Sequence, residues 1–448
     1  MTTAATPNQS TPDESTPDRP TPDRATPDRP VPRLGREFGK LWSASAISNI
    51  GDGVTAVAGP LLVASLTDDP ALIAGAAFVG QLPWLLFSLP GGALVDRLDR
   101  RRVMVAVDLG RAVALGTLAG LALADVVTVP TVYVAFFLLG VGETMADTAA
   151  VSVLPTVVPE QRLEQAYGWL QATFVVGNQF IAKPFGAYLF VVAVAWPFGL
   201  NAVTFVLAAL LLTTLRWRPA PTEQPTGGRR AGRSLGAEIV VGLRAMWESA
   251  VLRMLAVCLC LMNVVFCAAF AVFVLYCRER LGLDEIGFGV LLTSSAVGGL
   301  LGAWLSPRLR RRFGTPALLR AGLVVEIATH AVLAATREPW LAAAIMALFG
   351  VHTMVWGALV MSLRARLVPD ELRGRVNSVY SLLDLGGAAV GTLLGGILAA
   401  GTDSLTVPFW AAAAGTTLLL LAFWRRLGAT GRFDPGPAAA TSRPAPAS

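Results

Sequence analysis

Runs of about 20 predominantly apolar residues recur along almost the whole chain, separated by short segments rich in Arg, Asp, Gly and Pro. Each run is long enough to cross about 30 Å of hydrocarbon as a helix. They fall at 41–66, 72–95, 103–124, 128–150, 166–191, 196–215, 253–276, 286–306, 315–336, 340–363, 376–400 and 405–426. Strands would satisfy their backbone in lipid only as a closed barrel, whose signature is short alternating segments, not long continuous runs. The pattern therefore predicts an all-α membrane protein with twelve transmembrane helices.

Charge placement adds a direction to this picture. Arg33, Arg36 and Lys40 precede the first run, Arg97, Arg100, Arg101 and Arg102 follow the second, and Arg308, Arg310, Arg311 and Arg312 follow the eighth. Arg364, Arg366, Arg373 and Arg375 follow the tenth, and Arg425 and Arg426 the twelfth, whereas the alternate loops hold mostly Asp68, Asp69, Asp125 and Asp403. By the positive-inside rule both termini are expected in the cytoplasm and the protein in the inner membrane. Composition agrees with a bilayer as partner: 54% of residues are hydrophobic, 15% are charged and the mean hydropathy is +0.59, while soluble domains run near a quarter charged. A pI near 9.5 does not indicate nucleic acid, because the basic residues follow topology and form no continuous stripe with interleaved aromatics. Cys258, Cys260, Cys267 and Cys277 lie in or at the end of one rigid span and are expected to stay unpaired.

An internal repeat divides the runs six and six. Arg97-Leu98-Asp99-Arg100-Arg101 is echoed by Arg308-Leu309-Arg310-Arg311-Arg312 at the offset that also relates Gly91 to Gly302, and Val158-Pro159-Glu160 by Val368-Pro369-Asp370 at an offset differing by one. Two pseudo-symmetric six-helix bundles are expected, over 37–215 and 253–427. Residues 216–252 link them and end in an amphipathic segment, Glu238 to Trp247. Residues 6–30 are five Pro-rich pentads, TPNQS, TPDES, TPDRP, TPDRA and TPDRP, so a disordered arm is expected over 1–36 and a disordered tail over 428–448.

Ionisable groups inside spans cost roughly 2.5–3.5 kcal/mol each on insertion scales, so they face a cavity or one another. Asp52 in the first run, Glu143 in the fourth and Lys183 in the fifth form such a set, and Lys183 is one of two lysines in the chain. The expectation is that Lys183 pairs with Asp52 or Glu143, or meets an anionic part of a substrate; a purely structural ion pair is the alternative. Asn49 and Asn178 stand in the same stretches and join the proton or substrate candidates. Glu326 and His330, four residues apart on one helical face, are a second candidate for proton exchange. His352 and Trp356, also four apart, are candidates to line the pathway, with plain packing as the alternative. Asp108 and Arg111 are spaced to pair along the third helix, and Asp384 is a candidate partner, from the other half, for the arginines of the loop after the second span.

That loop, Gly92-Ala93-Leu94-Val95-Asp96-Arg97-Leu98-Asp99-Arg100-Arg101-Arg102, resembles the loop signature of the major facilitator superfamily. Ser48-Asn49-Ile50-Gly51-Asp52, Asp108-Leu109-Gly110-Arg111, Leu154-Pro155 with Val158-Pro159 and Leu163, and Gly242-Leu243-Arg244 resemble its third drug/proton antiporter group, which includes macrolide-efflux and siderophore-export proteins. The likeness spans about residues 40–425. It implies a major facilitator fold, alternating access, export of an amphipathic natural product and proton antiport, with Gly92, Asp96, Arg97, Arg100, Arg101, Asp108, Arg111 and Asp384 as gating residues. Two places depart from the pattern. The fifth span reads Asn178-Gln179-Phe180-Ile181-Ala182-Lys183-Pro184-Phe185-Gly186-Ala187 where a Gly-Pro-rich segment is expected, and the fourth carries Glu143 and Asp147 where other drug/proton groups have an arginine.

No Gly-Lys-Ser or Gly-Lys-Thr phosphate loop, metal-ligand spacing or Gly-x-Ser-x-Gly elbow occurs in the sequence. The expectation is a non-enzyme without cofactor, driven by an ion gradient, monomeric, with a small molecule and protons as partners and no nucleic acid. Import of a nutrient or lysophospholipid movement, and a non-transporting sensor or scaffold, remain the alternatives.

Overall fold

A computed structural model describes residues 34–95, 98–216 and 235–433. These residues form helices and connecting turns, with no strand among them. In chain order the helices are α1 (Gly35–Leu66), α2 (Pro70–Val95), α3 (Arg100–Leu123), α4 (Val129–Val157), α5 (Leu163–Thr173), a π-helical stretch (Phe174–Ala182), α6 (Lys183–Val192) and α7 (Trp196–Thr213). After the gap come α8 (Leu235–Glu248), α9 (Ala250–Phe270), α10 (Phe273–Leu275), a short π turn (Tyr276–Arg280), α11 (Glu285–Ala335), α12 (Pro339–Leu367), α13 (Asp370–Thr402) and α14 (Val407–Gly428). Eleven helical segments are long and apolar enough to cross a membrane. The longest, α11, breaks at Gly314, whose φ of 73° and ψ of 165° leave the helical region. A glycine tolerates that conformation where a side chain would clash. Its two arms match the eighth and ninth apolar runs, so twelve crossings result.

The helix starts follow local chemistry. The Asp99 side chain accepts hydrogen bonds from the backbone N–H groups of Arg101 and Arg102 at the start of α3, and Asp284 accepts from Gly287 N–H at the start of α11. Both satisfy amides that a first helical turn leaves without partners. Proline opens α4, α7, α12 and α14 in the first turn, where its missing N–H is harmless.

Packing sets the architecture. In the first half α1 lies against α6 and α7, α2 against α4, and α3 against α4 and α7; in the second, α9 against α13 and α14, and α11 against α12 and α14. Close crossings depend on glycine: a Cβ on Gly298 would collide with the Ala347 carbonyl oxygen, and one on Gly350 with that of Ser295. The halves meet chiefly through α2 against α13 and α6 against α11. One buried apolar cluster is shared between them, with Val57, Leu61, Phe190 and Phe198 from the first half and Phe273, Phe288 and Phe409 from the second. At the same end Arg278 donates to the Ala64 carbonyl at 2.9 Å and pairs with Asp68, tying α1 to the segment after α10.

At the arginine-rich end the apolar interior is split. One cluster draws only on residues between Phe38 and Leu215, the other only on residues from Met246 to Leu427. There α8 packs on α13, with Gly242 so near the Arg375 carbonyl that a Cβ would clash. The last described residues, Ala429–Phe433, form a 3-10 turn whose Phe433 carbonyl accepts from Arg366 at 2.7 Å. The Pro-rich pentads, Asp96, Arg97 and most of the linker lie outside the described residues. All four cysteines are free thiols.

Candidate functional site

Residues midway along α1 form one wall of the site. Asn49 donates to the Ser45 carbonyl at 2.7 Å, and Asn178, in the π-helical stretch, donates to the Asn49 carbonyl at 3.0 Å. A Cβ on Gly53 would meet the Asn178 backbone, so the two helices touch main chain to main chain. The wider winding of nine π-helical residues shifts the register of α6 relative to α5, a device frequent at functional sites.

Asp52, one turn further along α1, receives a hydrogen bond from Arg111 Nη2 of α3 at 3.1 Å. Arg111 is 7% exposed. Its guanidinium lies 4.0 Å from the Phe205 ring centroid, a cation–π contact. Behind the pair, Asn201 of α7 donates to Thr55 at 2.8 Å and reaches Asp52 at 3.5 Å, and Thr204 donates to the Asn201 side-chain oxygen at 2.8 Å. This scaffold corrects two expectations. Arg111 crosses to α1 instead of pairing with Asp108 along its own helix, and Asp52 takes Arg111, not Lys183, as its cation. Lys183, the first residue of α6, makes no ion pair or hydrogen bond among the described residues.

Two cavities adjoin the pair. The first has a volume of 410 Å³ and is lined by Asn49, Asp52, Asp108, Arg111, Glu143 and Asp147, with Tyr167, Leu170 and Phe174 on its apolar side. The second, of 540 Å³, shares Asp52, Arg111, Glu143 and Phe174 and adds Gln81, Trp84, Phe136 and Asn178. Every wall residue except Leu385 of α13 belongs to the first half. Volumes of this order hold drug-sized molecules. Asp147, Gln81, Asn201, Tyr167 and Phe174 are wall or scaffold residues that the sequence did not single out for this role. Asn201, an amide inside an otherwise apolar run, was the readable signal among them.

The second-half candidates are arranged differently from expectation. The Glu326 carboxylate meets His352 Nε2 of α12 at 3.1 Å, not His330. His330 Nδ1 instead contacts the Glu326 backbone carbonyl at 2.8 Å, the usual reach of a side chain four residues on, and its Nε2 has no partner. His352 packs edge-on against Phe349 and Trp356, both histidines are buried, and neither they nor Trp356 line the two cavities. Asp384 is another correction: it accepts from Asn263 of α9 at 2.6 Å, since its helix faces α9 at that level, and so it is held inside the second half.

The loop candidates divide. Gly92 lies within α2, whereas Asp96 and Arg97 are outside the described residues. Arg101 donates to the carbonyls of Leu212 and Thr213, closing the C-terminus of α7 in its own half rather than reaching across. Arg100 stands beside it at the first turn of α3. Lys40 donates to the Thr214 carbonyl at 2.7 Å and to Glu37 at 2.9 Å, so the start of α1 and the end of α7 are clasped as well. No cluster able to hold a metal ion occurs among the described residues.

The sequence profile of a family described as transmembrane secretion effector matches residues 31–436. The chain belongs to that family. It is a major facilitator protein, hence a multi-pass membrane transporter and not an enzyme. Among its relatives, a multidrug efflux pump, Tap, of Mycolicibacterium fortuitum is 29% identical over 375 residues, covering 80% of this chain and 87% of that protein. An enterobactin exporter, EntS, of Escherichia coli is 27% identical over 384 residues, covering 80% and 85%. Among solved structures, a bacterial homologue of the iron transporter ferroportin in its inward-facing state superposes with a TM-score of 0.69 at 18% identity, covering 88% of this chain and 98% of that one. A bacterial homologue of the lysosomal transporter Spinster gives 0.66 at 15%, covering 91% and 99%. The fold is thus the major facilitator fold that the loop motifs implied, built from the helices that the apolar runs predicted.

Proposed function

We propose that this transporter is a secondary exporter of amphipathic small molecules, working by alternating access between bundles 37–215 and 253–427 with linker 216–252 and both termini in the cytoplasm. The observation that carries this reading is the asymmetric seam. A shared apolar core joins the halves at the Asp68 end, separate cores occupy the arginine-rich end, and the carboxylate-lined cavities lie between. With the arginine-rich loops in the cytoplasm, this is an inward-facing arrangement, ready to load a substrate from the cytoplasm or the inner leaflet. The drug pump and siderophore exporter among its relatives support the outward direction. Protons are the proposed driving ion: the carboxylates of Asp52, Asp108, Glu143 and Asp147 share one cavity wall with Arg111, so loading a substrate there displaces whatever those groups hold.

The test is accumulation of fluorescent amphipathic dyes in an efflux-deficient bacterium producing the wild type or Asp52→Asn. Wild type lowers accumulation, collapse of the proton gradient restores it, and Asp52→Asn accumulates as the empty host does. Raised accumulation identifies an importer, and no change with wild type identifies a non-transporting protein; either result ends the export reading.

A further inference from the structure

The charge balance of the cavity wall, taken together with the export reading on which this inference rests, bears on the kind of molecule carried. Among the described residues Arg111 is the one basic residue lining either cavity, and Asp52 already holds it at 3.1 Å. Against that neutral pair stand Asp108, Glu143 and Asp147. Asp108 is 6% exposed and makes no ion pair or hydrogen bond among the described residues, although it lines the 410 Å³ cavity. Asp147, one helical turn from Glu143 on α4, opens onto the same cavity and also lacks such a partner. A buried carboxylate without a partner, as at Asp108, is unfavourable unless a counter-cation or a proton joins it, and the exposed Glu143 and Asp147 present further acidic groups to the same cavity. The same cavity is also lined by Tyr167 and Phe174, aromatic rings whose faces attract organic cations and not anions.

We infer that the exported molecules are amphipathic cations, their positively charged nitrogen or phosphorus seated between Asp108 and Asp147 and their apolar body against Tyr167 and Phe174. Asp52 with Arg111 then holds the wall together, and Lys183, outside both cavity linings, takes no part in recognition. An anion would meet three acidic groups and one already committed arginine, so charge alone separates the two classes.

The experiment measures equilibrium binding of tetraphenylphosphonium and of tetraphenylborate, near-isosteres of opposite charge, to the purified full-length chain in detergent. Saturable binding of the cation is expected, with the anion bound more weakly. Asp108→Asn and Asp147→Asn each weaken the cation about 10- to 100-fold, the range of a lost charged contact. Asp147→Glu largely retains binding, and Glu279→Gln, outside both cavities, leaves it unchanged. Monodisperse elution and an unaltered thermal midpoint separate lost recognition from lost folding. Equal or tighter binding of tetraphenylborate, undiminished binding in both Asn variants, displacement of the cation by millimolar sodium, or no binding of either probe overturns the cation assignment. Export is scored separately in cells with one cationic and one uncharged amphipathic dye. Efflux of the uncharged dye without cation binding leaves the exporter reading standing and overturns the cation assignment, whereas absence of efflux of either dye removes both.

Discussion

Arg111 shows how much a single residue holds in this protein. It pairs with Asp52, lies on the face of Phe205 and borders both cavities. Arg111→Ala leaves a half-buried carboxylate without its cation and is expected to destabilise the protein by about 3 kcal/mol, read as a lower thermal midpoint in detergent. Arg111→Lys does not restore it, because an ammonium lacks the flat fork that both donates to Asp52 and stacks on the ring. The histidines give a sharper contrast. His352→Leu strands the Glu326 carboxylate, which is 2% exposed, and is expected to cost about 3 kcal/mol. His330→Leu removes a ring whose Nε2 has no partner and is expected to be within about 1 kcal/mol of wild type. Equal losses in the two variants would show the pairing to be wrong. At this scale the sequence singled out Asp52, Asp108, Arg111 and Glu143, which line one cavity, but not who meets whom. Spacing places Glu326 and His330 on one face, yet which acid meets which base depends on how neighbouring helices are rotated, and no one-dimensional period contains that angle. Asp384 with Asn263 and Asp52 with Arg111 are instances of the same gap.

Helices that cross closely leave no room for a methyl group. Gly350→Ala is expected to cost about 1–3 kcal/mol by overpacking the α11–α12 crossing against the Ser295 carbonyl, visible as reduced yield of folded protein and a lower midpoint. Gly116→Ala, on α3 with open space around its Cβ position, serves as the tolerated comparison and gains helix propensity instead. Spans were the most legible feature of the chain because their length is dictated by the bilayer, and the Gly314 break falls in the polar gap between the eighth and ninth runs. The π-helical stretch Phe174–Ala182 was not legible. Its residues keep the apolar character of a transmembrane helix, and one extra backbone atom group per turn alters no composition.

For the whole molecule the decisive contrast is between the joined end and the parted end of the seam. Arg278→Ala removes the tie to Ala64 and Asp68 and is expected to move the resting population toward the opposite arrangement. Modification of Ser48→Cys, in the cavity wall, by a membrane-impermeant thiol reagent added outside intact cells should then rise several-fold over the Ser48→Cys parent. No change in labelling would mean that this tie does not hold the seam. The halves themselves were readable from the repeated loop motifs. Where the seam closes was not, because Val57, Phe190, Phe273, Phe288 and Phe409 come from distant parts of the sequence and look like any other lipid-compatible residue.

That aromatic cluster faces two opposed demands. Packing it more tightly fastens the molecule in one posture, yet the alternating-access cycle proposed above requires those same rings to part at every turnover. Substitutions that harden it are therefore expected to lengthen the protein's survival in detergent while slowing its delivery of cargo, so that durability and speed are set against each other by one small patch of phenylalanine.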